Sequence, residues 1–167
     1  YFFACIVNSL MMTIVFYLFR KVKIKTNEKL GYIFFITLWI CYEKLHLVWD
    51  FSWPWLIFGN VFSENMWIVQ WYEFTGVFGG TLWVLIVNII LFKICFNNKK
   101  NNQSKILIYS LSSILIIPTL ISVIIHKNFK ENGEVKNISI IQPNIDPYSE
   151  KYSITNNDNL DYLEKIA

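Results

Sequence analysis

Three long stretches of this 167-residue sequence, positions 1–19, 31–42 and 106–125, contain no Asp, Glu, Lys or Arg. Only 16% of the residues are charged, against 54% hydrophobic and 18% aromatic, which excludes an ordinary soluble domain and points to a polytopic membrane protein. The net charge of +3 sits in the connecting segments, so it gives no argument for a nucleic-acid partner. Cysteine is also scarce. Cys5, Cys41 and Cys95 lie far apart in apolar segments, with no metal-type CxxC spacing, and buried free thiols are expected. There is no signal-peptide pattern and no initiator Met. The chain begins inside an apolar run and reads as a fragment of something longer.

Four apolar spans are expected, at about 1–19, 30–50, 67–96 and 106–125. Twenty uncharged residues at about 1.5 Å each match the ~30 Å hydrocarbon core, as in the fourth span. Pro118 lies inside that span and is expected to kink it, the freed carbonyl being tolerated among neighbouring helices. Positions 1–126 thus form a transmembrane bundle, and 127–136 a polar linker. In 137–167, "ISIIQPNID" reads as a short buried strand closed by a turn. "DNLDYLEKIA" reads as a helix with Leu160, Leu163 and Ala167 on one face and Asp158 as its N-cap. No internal repeat is evident.

Cationic residues set the orientation. Arg20, Lys21, Lys23, Lys25 and Lys29 lie between the first two spans, and Lys93, Lys99, Lys100 and Lys105 around the turn between the last two. The 44–66 connection offers only Lys44. Cation-rich loops stay in the cytoplasm, so 44–66 and everything after Ile125 are expected to face outward.

The outer end of the second span is unusually polar. Thirteen residues from Leu30 to Tyr42 cover about 20 Å of helix, which places Glu43 about two-thirds of the way across the bilayer. Glu43, His46 and Asp50 share one helical face. Three readings stand: headgroup-level groups beside the aromatic belt of Trp49, Trp53 and Trp55; the lining of a polar, outward-opening cavity; or, with further ligands from another helix, a Glu-x-x-His metal site. The third span repeats the polarity with Gln70 and Glu73. Its Gly76 and Gly80 form a GxxxG whose first reading is tight helix packing, and Asn88 reads as an interhelical hydrogen bond.

These features, in order, resemble the apolipoprotein N-acyltransferase family of the bacterial inner membrane. The resemblance rests on Glu43 within a helix and on "PWLIFGN", Pro54 to Asn60. It also rests on Gln70, Gly76, Gly79, Gly80, Trp83 and Asn88, and on "IIQPNIDPYSEK", Ile140 to Lys151. The last motif is similar to the first strand of a carbon–nitrogen hydrolase domain; Tyr152 stands where the family often has Trp. The resemblance implies a fold class: an α-helical polytopic membrane bundle followed by the first strand and helix of a periplasmic α/β nitrilase-like (αββα) domain, here truncated. It also implies a reaction. A Cys thiolate takes an acyl chain from a phospholipid as a thioester, then passes it to the N-terminal amine of a diacylglyceryl-modified cysteine on a lipoprotein. The implied partners are the phospholipid donor, the lipoprotein and membrane lipids, with no cofactor and no metal.

The family's Glu-Lys-Cys triad has no match in this sequence, so no residue here is assigned as catalytic and the chain is expected to be inert alone. Glu43, His46, Trp53, Trp55, Gln70, Glu73, Gln142, Asn144, Lys151 and Tyr152 are the candidates for a lipid and substrate cavity. The rival class is a non-catalytic polytopic protein or transporter with a small exported tail, in which Glu43, His46 and Glu73 would belong to an ion pathway. A downstream Glu, Lys and Cys in a β-rich context would favour the enzyme, and further helices the transporter.

Overall fold

The computed structural model describes residues 2–49, 54–96, 102–130 and 156–166, together with positions 133, 140 and 142. All regular structure among them is helical. The chain divides into two units, Tyr1–Phe129 and Lys130–Ala167. The first holds α1 (Phe2–Lys25), α2 (Glu28–Val48), α3 (Tyr72–Phe96) and α4 (Asn102–Asn128), each long and apolar enough to cross a membrane.

Helix α1 outlasts its apolar run, continuing through Arg20–Lys25. Arg and Lys are good helix formers, their stems extend along apolar surface, and Lys23 and Lys25 suit the negative end of the helix dipole. The turn into α2 is two residues long. Asn27 closes it by accepting a hydrogen bond from the Leu30 amide at 2.9 Å, which caps α2. The helices then run antiparallel with rings interleaved: Phe19 meets Tyr32 at 5.5 Å between ring centroids, and Phe16 meets Phe35 at 5.3 Å. The core behind them is Val15, Phe35, Trp39, Tyr42 and Leu85.

Proline 118 stands inside α4, which continues through it as a single helix. Its missing N–H leaves the Ile114 carbonyl, four residues earlier, without its helical donor. The indole Nε1 of Trp83, on α3, donates to that carbonyl at 2.8 Å. A side chain of one helix therefore supplies the hydrogen bond that the sequence of the next removes.

Three expectations for these helices need correction. Asn88 donates within α3, to the Val84 carbonyl one turn back at 2.8 Å, rather than to another helix. Gly76 is not a packing glycine, for a Cβ there would meet nothing within 4 Å. It bends α3 instead, at φ 65° and ψ −175°, a backbone region essentially closed to other residues. The close approach lies at Gly80, whose Cβ would sit 3.0 Å from the Gly59 Cα and against the Tyr72 hydroxyl. The thiols of Cys5, Cys41 and Cys95 are exposed rather than buried. On a lipid-facing helix surface a small, weakly polar thiol is at no disadvantage.

In the second unit α5 spans Asn156–Ile166, so Asp158 lies in its first turn, where its charge suits the dipole, and not at the cap. Leu163 is half-buried and Leu160 exposed. The expected strand, apart from exposed Ile140 and Gln142, lies outside the described residues.

Candidate functional site

The connection between α2 and α3 is built from three 3-10 turns, Pro54–Leu56, Phe58–Phe62 and Met66–Ile68. Proline begins the first, and the Asn60 side chain donates back to the Pro54 carbonyl at 2.9 Å. The middle turn does not stay outside the bundle. Ile57 and Gly59 are buried, and the Phe58 ring stacks on Trp39 at 4.8 Å. Five residues of helix, about 7 Å, separate Glu43 from the end of α2, so this backbone dips below the helix end. Irregular backbone at such depth requires every polar group to find a partner within the protein.

Glu43 partners one of these groups directly and the next through Thr81. Its side chain is 1% exposed. Oε1 accepts from the Phe58 amide at 2.9 Å and from the Trp39 indole at 3.0 Å, and Oε2 accepts from the Thr81 hydroxyl at 2.6 Å. Thr81, fully buried on α3, accepts in turn from the Gly59 amide at 3.1 Å. The Tyr72 hydroxyl donates to the Gly59 carbonyl at 3.0 Å. One carboxylate thus ties two helices to two consecutive backbone amides. Gly59 permits this because a Cβ would strike the Val77 carbonyl. Farther along, the Trp71 amide donates at 3.4 Å to the buried hydroxyl of Ser122 on α4.

The sequence-derived candidates distribute unevenly around this clamp. Glu43 is its centre. His46 is buried one turn away, edge-on between the rings of Tyr42 and Trp49 at 4.6 and 5.0 Å. Trp55 is 67% exposed on the first turn of the loop. Gln70 donates locally, to the Met66 carbonyl at 2.8 Å, and Glu73 is exposed in the first turn of α3. Gln142 is exposed, while Asp50, Trp53, Asn144, Lys151 and Tyr152 lie outside the described residues. Both oxygens of Glu43 are taken by hydrogen-bond donors. No group of three His, Cys, Asp or Glu side chains placed to hold a metal occurs among the described residues.

Sequence reasoning missed Trp39, Tyr72 and Thr81. Trp39 carried a usable signal, standing four residues before Glu43 on the same face. Thr81 and Tyr72 carried none, because their roles depend on the loop folding back.

Residues 1–90 match the model of the apolipoprotein N-acyltransferase N-terminal domain, more than half of the chain. The chain belongs to this family. It is also similar to the apolipoprotein N-acyltransferase of Chlorobaculum tepidum, 28% identical over 143 residues, which is 84% of this chain and 26% of that protein. The chain therefore spans about a quarter of the length of the curated relative it matches. No solved structure matches it. The family match includes the whole clamp, from Trp39 through Gly59 to Thr81.

Proposed function

We propose that this chain is the membrane bundle, with the beginning of the exported domain, of an enzyme that N-acylates lipoproteins. In this reading a Cys thiolate takes an acyl chain from a phospholipid ester, releasing lysophospholipid. The N-terminal amine of a diacylglyceryl-modified cysteine then takes the chain from the thioester, freeing the thiol. The observation that carries it is the Glu43 clamp, a hydrogen-bonded loop folded in against α2 and α3 in a chain of this family. A loop fixed in that way suits a substrate that arrives laterally from the lipid. Exposed Trp55 forms the rim of the entry, while Gln70 and Glu73 lie at headgroup level; Trp53 stays a candidate on sequence alone. His46 packs beneath the same face. Glu43 acts through the loop and does not touch the lipid. Gln142, Asn144, Lys151 and Tyr152 are proposed, on the sequence motif alone, to serve substrate binding.

No catalytic group is assigned in this chain. Cys5, Cys41 and Cys95 sit on the apolar helices α1, α2 and α3 and are not proposed as the nucleophile. In this reading residues 44–66 and 127–167 face the periplasm of the bacterial inner membrane, following the Lys and Arg distribution.

Two experiments test this. In a cysteine-free background, an impermeant maleimide should label a Cys placed at Ser63, and not one at Lys25, in intact cells; the reverse pattern would overturn the orientation. The full-length protein should convert a diacylglyceryl lipopeptide to the triacylated form, read by mass spectrometry, and Glu43→Leu should slow it while Glu64→Gln, an exposed change on the same loop, does not. Unaltered rates in a Glu43→Leu variant that inserts normally would remove the loop from the reaction.

A further inference from the structure

At the opposite end of α2 from Glu43, two ammonium groups converge on one ring. The Nζ atoms of Lys23, on α1, and Lys93, on α3, each lie 4.9 Å from the centroid of Tyr32. Lys23 reaches it because Gly31 leaves room for its stem: a Cβ at Gly31 would stand 2.8 Å from the Lys23 Cβ. The nearby anion is Glu28, whose carboxylate is 3.8 Å from Lys93 and more than half exposed, at 56%. An exposed pair of that length is a weak interaction. Two cations against one carboxylate leave this place positive.

Tyr32 also begins an apolar groove of about 470 Å³ that runs between the membrane-spanning helices, lined by Phe19, Phe35, Trp39, Leu85 and Phe92. From Tyr32 to Trp39 the groove follows about 10 Å of helix toward the bilayer centre. Phe92 and Lys93 also line a second, more polar hollow of about 550 Å³ with Glu28 and Gln103. A positive mouth at the headgroup level over an apolar trough inside the membrane is complementary to one kind of molecule.

We propose that the Tyr32 groove is a binding site for an anionic membrane phospholipid. Lys23 and Lys93 hold the phosphate, and an acyl chain lies along Phe35 and Phe92. The site lies in the leaflet opposite the Glu43 loop, and it does not depend on the acyl-transfer reading. Its role is retention of a structural lipid between α1 and α3.

The test uses the full-length protein in nanodiscs of equal phosphatidylglycerol and phosphatidylcholine, with retained lipid counted by native mass spectrometry. Wild type should retain phosphatidylglycerol preferentially. Lys23→Gln with Lys93→Gln should lower that preference, about fivefold for each lysine. Lys21→Gln with Lys25→Gln removes the same charge from the same region away from Tyr32, and should change it less than twofold. Val84 also lines the groove, and Val84→Phe, which narrows it with both lysines intact, should lower total retained lipid. Equal loss in the two lysine pairs would reduce the effect to general surface charge and overturn the site. Unchanged retention in Val84→Phe, or displacement of the lipid by glycerol phosphate alone, would overturn the acyl-chain half and with it the proposal.

Discussion

The two contacts of α2 are made by different physics. Against α1 it presents rings: Phe16, Phe19, Tyr32, Phe35 and Trp39 meet at 5.0–5.9 Å, without a hydrogen bond described between those side chains. Against the loop and α3 it presents Glu43, with directional bonds to the Phe58 amide and to Thr81. In water the ring contact would dominate, since it buries more apolar surface. In a bilayer lipid tails satisfy apolar surface about as well as another helix does, so dispersion holds helices together without choosing their register. A buried carboxylate and two buried amides tolerate one arrangement only. The aromatic side supplies cohesion and the polar side supplies position.

That contrast is testable by substitution, beginning where the effect is largest. Glu43→Leu strands the Phe58 amide, the Trp39 indole and the Thr81 hydroxyl at once. At roughly 1–3 kcal/mol for each buried orphan, the loss should reach several kcal/mol and abolish a cooperative thermal transition near the wild-type temperature. Glu43→Gln should do much less harm, because its carbonyl still accepts from Phe58 and Trp39 while the Thr81 hydroxyl turns to accept. Equal damage from Leu and Gln would mean that charge, and not donor satisfaction, governs the site.

Gly76→Ala comes next, at about 1–3 kcal/mol from backbone strain alone, since a Cβ has open space there. The check is a fall in unfolding temperature with a larger fall in acylation rate, because the bend carries Tyr72 toward Gly59. Trp83→Phe should cost about 1–2 kcal/mol by orphaning the Ile114 carbonyl. In a Pro118→Ala background, which restores the helical donor, the same change should cost about 1 kcal/mol less, a coupling read by a double-mutant cycle. Smallest is Phe16→Leu, a half-exposed ring on the cohesive side, expected to cost less than about 1 kcal/mol. A Phe16→Leu loss as large as that of Glu43→Leu would break the comparison.

How much could be read beforehand divides along the same line. Uncharged runs of about twenty residues announce spans by composition alone, so the four helices were legible, and Glu43 stood out as a carboxylate placed where lipid should be. What the carboxylate does was not legible. Its donors come from residues four, fifteen and thirty-eight positions away, and the two distant ones meet it only because a loop that looked external turns inward. Gly76 and Gly80 show the same limit. GxxxG spacing describes a continuous helix face, and a bend at its first glycine removes that face, leaving Gly80 to pack on Gly59 of the loop. Pro118 was legible as a break, but its remedy lies on another helix, and Trp83 names its partner only once α3 and α4 are side by side.

The Glu43 clamp also has a consequence for the order in which the protein is made. Synthesis runs from the N-terminus, so α2 leaves the ribosome with its carboxylate and only the Trp39 indole to satisfy it. Phe58 and Thr81 emerge later, 15 and 38 residues downstream. An α2 released alone into hydrocarbon would carry a carboxylate lacking two of its three donors, at a cost on the order of the several kcal/mol set by burying such a group. The stable species for lateral release is the α2–loop–α3 hairpin, in which the deficit is already closed. In a translocon insertion assay, α2 followed by α3 should integrate more completely than α2 alone, and Glu43→Leu should erase that difference.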